Sequence, residues 1–132
     1  MNRPLLLIAS LLGALSVILG AFAAHALKEI FPAESMTIFE TGVRYQFYHV
    51  FAIFIAAFLS GSNPSIKYFK WAASCFLLGI VLFCGSLYAL AAIKANGISG
   101  LGAVGIVTPL GGIFFIAGWL LLFFGVYKLQ KK

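Results

Sequence analysis

The stretch Glu40-Thr-Gly-Val-Arg-Tyr-Gln-Phe-Tyr-His49 decides how the chain is read, because it sets a dense group of polar and ionisable side chains directly against an apolar run. The ten residues after it, Val50 to Leu59, are too few to cross a bilayer, whose ~30 Å hydrocarbon core takes about 20 apolar residues of helix. A spanning helix must therefore extend backwards. Counted from Ser60, its outer end falls near Thr41, which puts Arg44, Tyr45, Gln46 and His49 at or below the headgroup level. Ionisable groups at that depth are costly, face protein or a wet cavity, and count as a site hypothesis.

Working outward, 63% of the 132 residues are hydrophobic and only 9% are charged, against roughly a quarter charged in soluble domains. That composition predicts an all-α integral membrane protein with a single domain over 1–132. The net charge of +6 does not point to nucleic acid, since Lys and Arg are dispersed at the ends of apolar runs with no basic stripe. Cys75 and Cys84 fall on one expected helix roughly 180° apart around its axis, so they are read as two core thiols that cannot bridge each other.

Four spans are expected, at about 4–27, 41–60, 68–93 and 106–127. Ala24-His25-Ala26 has the form of a signal-peptidase site, but the apolar run before it is long enough to span. On that first helix Gly13 and Gly20 are a heptad apart, and Ser16, Gly20 and Ala24 follow a small-xxx-small pattern that lets helices approach. Pro32 and Glu34 open an amphipathic helical entrance at about 32–42, with Met36, Phe39, Val43, Phe47 and Val50 on one face and Gly42 as a candidate bend. Ser60-Gly-Ser-Asn-Pro64 closes the second span. Lys67, Tyr68, Lys70 and Trp71 form a collar at the start of the third, on which Gly79 and Ser86 are a heptad apart. Ala95 to Val107 is rich in glycine and uncharged, so it either dips to membrane depth within protein or lies in the interface. Thr108-Pro109 reads as N-cap and first residue of the last helix, which carries Gly111, Gly118 and Gly125 at heptad spacing.

Six Lys and Arg residues fall on one side and three on the other, which places both termini in the cytoplasm. His25, the glutamates, Arg44 to His49 and the glycine-rich segment then share the outer side. A weak echo aligns Leu11–Lys28 with Leu77–Lys94, through either duplication or chance similarity.

Four phrases in order, Gly20-Ala-Phe-Ala-Ala-His-Ala-Leu27, Tyr45-Gln-Phe-Tyr-His49, Gly85-Ser-Leu-Tyr88 and Thr108-Pro-Leu-Gly-Gly112 with Gly118-Trp119 behind it, resemble one family. The chain is similar to the YgdD/YwdK-like membrane proteins, the domain of unknown function 423, related to transmembrane protein two-five-six. Ala23 stands where glycine is usual and Cys84 where serine is usual. The resemblance implies a small multi-helix membrane protein and brings with it no established catalytic activity.

Two accounts of the polar stretch follow. In the plainer one, Glu40–Arg44 is a favourable i,i+4 ion pair fixing the helix entrance, and the tyrosines form an aromatic belt. In the other, His25, Glu40, Arg44, Tyr45, Tyr48, His49, Tyr88 and Thr108 contribute to an outer-leaflet polar pocket. There the positive end of the last helix would favour an anionic or carbonyl-bearing head, such as a lipid phosphate or a quinone. A metal would need His25 and His49 to converge, with Glu40 as a third, oxygen ligand, and no ligand-spacing motif supports that. The chain has no Asp, so a Ser-His-Asp triad is excluded, and no carboxylate pair lies within a span. These observations predict a non-enzymatic membrane component, without cofactor or resident metal, that binds a lipid-like or protein partner. The alternative is a small oligomeric transporter or channel with His25 and His49 on its path. Helix packing is expected at Gly13, Gly20, Gly79, Gly85, Gly111, Gly118 and Gly125.

Overall fold

The computed structural model describes residues 2–98, 100 and 102–129. Four long helices run up and down: α1 (Arg3–Ile30), α2 (Ala33–Ser62), α3 (Tyr68–Ala95) and α4 (Gly102–Leu129), each apolar and long enough to span. No strand is present among the described residues. A wider π-turn interrupts α1 at Ala23–Leu27 and α3 at Ile80–Cys84. In the sequence echo Ala23–Leu27 corresponds to 89–93, which is regular α-helix.

The chain breaks where prolines require it. A proline disfavours helical conformation in the residue before it. Phe31 before Pro32 is accordingly extended (φ −92°, ψ 134°), and Asn63 before Pro64 leaves helix at φ −133°, ψ 67°. After α3 the stop is a glycine. Gly97 takes φ +69°, its N–H donates to the Lys94 carbonyl, and the Ile98 N–H donates to Ile93. This is the paired arrangement of a Schellman cap.

The entrance runs on into the second span as one unbroken helix of 30 residues. Three details are corrected. Gly42 is no bend. It instead makes room for the Tyr88 ring, since a Cβ there would sit 2.7 Å from Cε1. The last helix starts at Gly102, so Pro109 lies inside it and Thr108 is not its N-cap. A proline in the first turns of a membrane helix is tolerated because neighbouring groups re-satisfy the freed backbone. The glycine-rich segment is thus divided between a short turn and the first turns of α4.

Helix α3 lies between α2 and α4, while α1 packs chiefly along α2. Lipid tails are as apolar as Phe or Leu, so hydrophobicity does not drive these helices together and close packing must. The α3–α4 seam provides it. Phe69 seats at Gly125, Phe76 at Gly118 and Phe115 at Gly79, while the backbone of Phe83 lies against Gly111. The Ser86 and Thr108 hydroxyls, 2.6 Å apart, continue the series. The residue numbers of all five pairs have the same sum, so one antiparallel register holds from end to end.

The α1–α2 seam is gentler. Ala9, Ser16, Ala23 and Leu27 are buried, with Gly13 and Gly20 between them. A Cβ on Gly13 or Gly20 would meet Val50 or Val43 at ordinary contact, 3.5 and 3.6 Å. The seam uses Ala23 where the sequence pattern pointed to Ala24, which is exposed. Gly85 is also corrected: it is exposed and has nothing near it to pack against.

Gly111→Ala is therefore expected to cost about 1–3 kcal/mol as an overpacked contact, seen as a lowered unfolding midpoint in detergent. Gly13→Ala and Gly85→Ala should leave it unchanged or slightly raised. Equal behaviour of the three variants would refute the pairing.

Candidate functional site

Along α2, Ser35, Phe39, Gly42, Gln46, His49, Ile53, Ala56 and Ser60 are all buried. Steps of three and four keep them on one face, which runs unbroken through the polar stretch. Of the recurring apolar residues on this helix, Phe39 and Val50 are buried and Phe47 is exposed.

Gln46 joins three helices. Its Nε2 donates to the Leu12 carbonyl of α1 at 3.2 Å, and its Oε1 accepts from the Tyr88 hydroxyl of α3 at 2.8 Å. The Ser16 hydroxyl donates to that same carbonyl at 2.8 Å. Tyr88 reaches Gln46 because its ring lies over Gly42 and tilts against Phe39, with centroids 4.9 Å apart. Buried polar groups must be paired within the protein at this depth, and among the described residues none is left unpaired.

One turn further, His49 faces α4. Its Nδ1 lies 2.7 Å from the Tyr45 carbonyl, and Trp119 Nε1 donates to its Nε2 at 3.2 Å. A carbonyl only accepts and an indole N–H only donates, so the proton belongs on Nδ1 and the imidazole is neutral. The ring stacks on Phe115 at 3.5 Å and 7°. Phe115 in turn occupies the space Gly79 leaves, so a glycine on α3 fixes the platform under a histidine on α2.

Between α2 and α4 this leaves a cleft of about 550 Å³ lined by Tyr45, Tyr48, His49, Phe83, Ile116 and Trp119, with Phe115 and Gly112. Tyr45 tilts against Phe83 at 4.9 Å. Neither the Tyr45 nor the Tyr48 hydroxyl has a hydrogen-bond partner among the described residues. No Lys, Arg or Glu lines the cleft.

Of the residues expected to form a pocket, three come together there: Tyr45, Tyr48 and His49. Tyr88 is engaged with Gln46 inside the bundle, and Thr108 with Ser86. His25 is exposed on α1 and does not meet His49. Among the described residues no group of three His, Cys, Asp or Glu is placed to hold a metal. Glu40 lines a separate hollow with Lys28, Phe31 and Met36. The Glu40–Arg44 ion pair is not formed; among the described residues the ion pair is Glu34–Lys94, which ties the start of α2 to the end of α3. Both Glu40 and Arg44 are exposed, and an exposed i,i+4 pair gains too little to hold two long side chains in one geometry. Gln46, Phe83, Phe115 and Trp119 had no role assigned from sequence. For Gln46 the signal was present, since it falls on the same three-and-four series as Gly42 and His49.

Residues 19–112 match the family described as "Protein of unknown function (DUF423)", well over half of the chain. The chain belongs to this family. Among its relatives, the UPF0382 inner membrane protein YgdD of Escherichia coli K12 is 40% identical over 131 residues, covering 99% of this chain and 95% of that protein. A UPF0382 membrane protein of Haemophilus influenzae is 39% identical over 128 residues, 97% of each chain. The UPF0382 membrane protein YwdK of Bacillus subtilis is 37% identical over 114 residues, 86% of this chain and 88% of its own. No solved structure matches. Relatives named as membrane proteins and four helices fit to span make this chain a multi-pass membrane protein. The DUF423 match covers every residue lining the cleft except Phe115, Ile116 and Trp119.

Two measurements check the geometry. A double-mutant cycle of Tyr88→Phe and Gln46→Leu should give a coupling of about 0.6 kcal/mol, the usual size for a hydrogen bond between membrane helices; strict additivity would show that the bond contributes nothing. In a His25→Gln background, nitrogen NMR of the remaining histidine should find Nδ1 protonated and Nε2 bare. The opposite tautomer is incompatible with the Trp119 contact.

Proposed function

We propose that this DUF423 protein is a non-enzymatic membrane component that binds a lipid-like molecule in the α2–α4 cleft, through a ring or chain laid on the aromatic floor and a neutral polar head. The observation that carries this is the pair of unpartnered phenol hydroxyls, Tyr45 and Tyr48, beside an apolar cleft at membrane depth. Hydroxyls in that setting gain most from a ligand that brings a hydrogen-bonding atom with it. Because the cleft has no cation and the positive end of α4 lies away from it, a carbonyl- or hydroxyl-bearing head such as a quinone suits it better than a phosphate. Support for a non-enzymatic role is of the same kind. The cleft has no carboxylate, and both ring nitrogens of its histidine are already engaged. The distribution of Lys and Arg supports cytoplasmic termini.

The chain has two tryptophans, so Trp71→Phe leaves Trp119 as a reporter inside the cleft. A decyl-substituted benzoquinone added to this variant in nanodiscs is expected to quench Trp119 to saturation, and Tyr45→Phe/Tyr48→Phe to weaken the binding several-fold. Quenching that rises linearly without saturation, as for random collisions in the bilayer, would overturn the proposal. So would concentration-dependent self-association that occupies the cleft with a second copy.

A further inference from the structure

The charges of this chain are sorted by end. Among the described residues, Arg3, Lys67, Lys70 and Lys128 gather where α1 begins, α2 turns into α3 and α4 ends, and no carboxylate stands with them. The three glutamates of the chain all lie between residues 29 and 40, toward the other end with Lys28, Arg44 and Lys94. One end is balanced; the other is not.

The unbalanced end has two hollows. In the smaller, about 230 Å³, Lys67 and Lys128 stand beside Tyr68 and Trp71, and Lys128 Nζ already lies 4.6 Å over the Tyr68 ring. The larger, about 390 Å³, is shared by three helices: Arg3 and Pro4 of α1, Ser60 and Gly61 of α2, and Lys70 of α3. The Asn2 amide donates to the Ser60 hydroxyl at 3.4 Å and joins two of its walls. Neither the Arg3 nor the Lys70 side chain has an ion-pair, hydrogen-bond or ring partner among the described residues. Directly beneath, toward the bundle centre, is a groove of about 420 Å³ with no polar lining, formed by Leu6, Phe54, Ile55, Phe58 and Leu59. Leu6 is one helical turn from Arg3 on the same face of α1, and Phe58 is one turn from Gly61 on the same face of α2. A basic hollow therefore sits immediately above an apolar groove on the same α1–α2 flank.

We infer that this composite is a binding site for an anionic phospholipid, its phosphodiester between Arg3 and Lys70 and one acyl chain along the groove. The guanidinium fork matches two phosphate oxygens at once, and the Lys70 ammonium adds a second charge at headgroup level. A zwitterionic lipid is disfavoured by the same inventory, since among the described residues no side-chain carboxylate at this end meets a choline or ethanolamine cation. The groove separates a lipid from a soluble phosphate, which would leave it empty. This site is independent of the α2–α4 cleft and of what that cleft holds.

The test is a titration of the detergent-solubilised protein with short-chain phosphatidylglycerol, followed by native mass spectrometry. Phosphatidylglycerol is expected to bind at least several-fold more tightly than phosphatidylcholine of the same chain length. Arg3→Gln/Lys70→Gln should weaken it by roughly 30-fold, the effect of two cations near a membrane surface. Lys67→Gln/Lys128→Gln should preserve most of the affinity, and glycerol 3-phosphate should not compete. All four positions are exposed, so both variants should fold, which gel filtration checks. Three results would each overturn the site: equal affinity for the two lipids, equal loss from the two double variants as for a diffuse positive collar, or full competition by glycerol 3-phosphate.

Discussion

Everything in this bundle depends on the absence of a solvent that would push its helices together. In a bilayer an exposed Phe is as comfortable as a buried one, and what distinguishes the native arrangement is how closely surfaces fit. Along α3 and α4 the fit is made by aromatic rings set into the spaces above glycines, repeated in one register from Phe69 and Gly125 to Ser86 and Thr108. From this seam the rest can be followed outward. Gly79 admits Phe115, Phe115 supports the His49 ring, and His49 receives the Trp119 N–H. The cleft is thus bounded by a line of contacts that begins with a missing side chain on α3.

A second constraint is the depth at which polar groups lie. Gln46 would be expensive among acyl chains, and the structure resolves the cost by giving both ends of its amide to other helices. The same bonds fix the rotation of α2. A turn of the helix by one residue would remove Gln46 and His49 from their partners and put Tyr45 and Tyr48, or in the other sense Phe47 and Val50, in their places.

Much of the architecture was legible in the sequence because it is written in lengths and breakers. The four apolar runs, the prolines at 32 and 64 and the heptad glycines of α4 mark helices, turns and one packing face in ways that tertiary context does not override. The polar stretch was correctly read as part of a spanning helix, which is what brings Tyr45, Tyr48 and His49 to the cleft. The start of α4 was misplaced because Thr108-Pro109 has the composition of a helix N-terminus, whereas the threonine hydroxyl is used across to Ser86. The inward face of α2 has a less direct signal. Periodicity of large apolar residues marks the core in water, but here Phe47 and Phe51 face outward, and Ser35, Gly42, Gln46, His49 and Ser60 share the interior with Phe39, Val50 and Ile53. Trp119 and Phe115 carried no signal of their own, since their importance lies in which residues stand opposite, and a single sequence does not state that.

The attachment of α1 has a consequence for biogenesis. It leaves the ribosome before the other three helices, yet the acceptor it offers, the Leu12 carbonyl, is reached by a side chain of α2 whose other end is held by α3. Helix α1 must therefore wait for α3 before the Gln46 bridge that docks it is complete, while α3 and α4 interlock through a surface of their own. Assembly would then proceed from the C-terminal hairpin back toward the N-terminus, against the direction of synthesis.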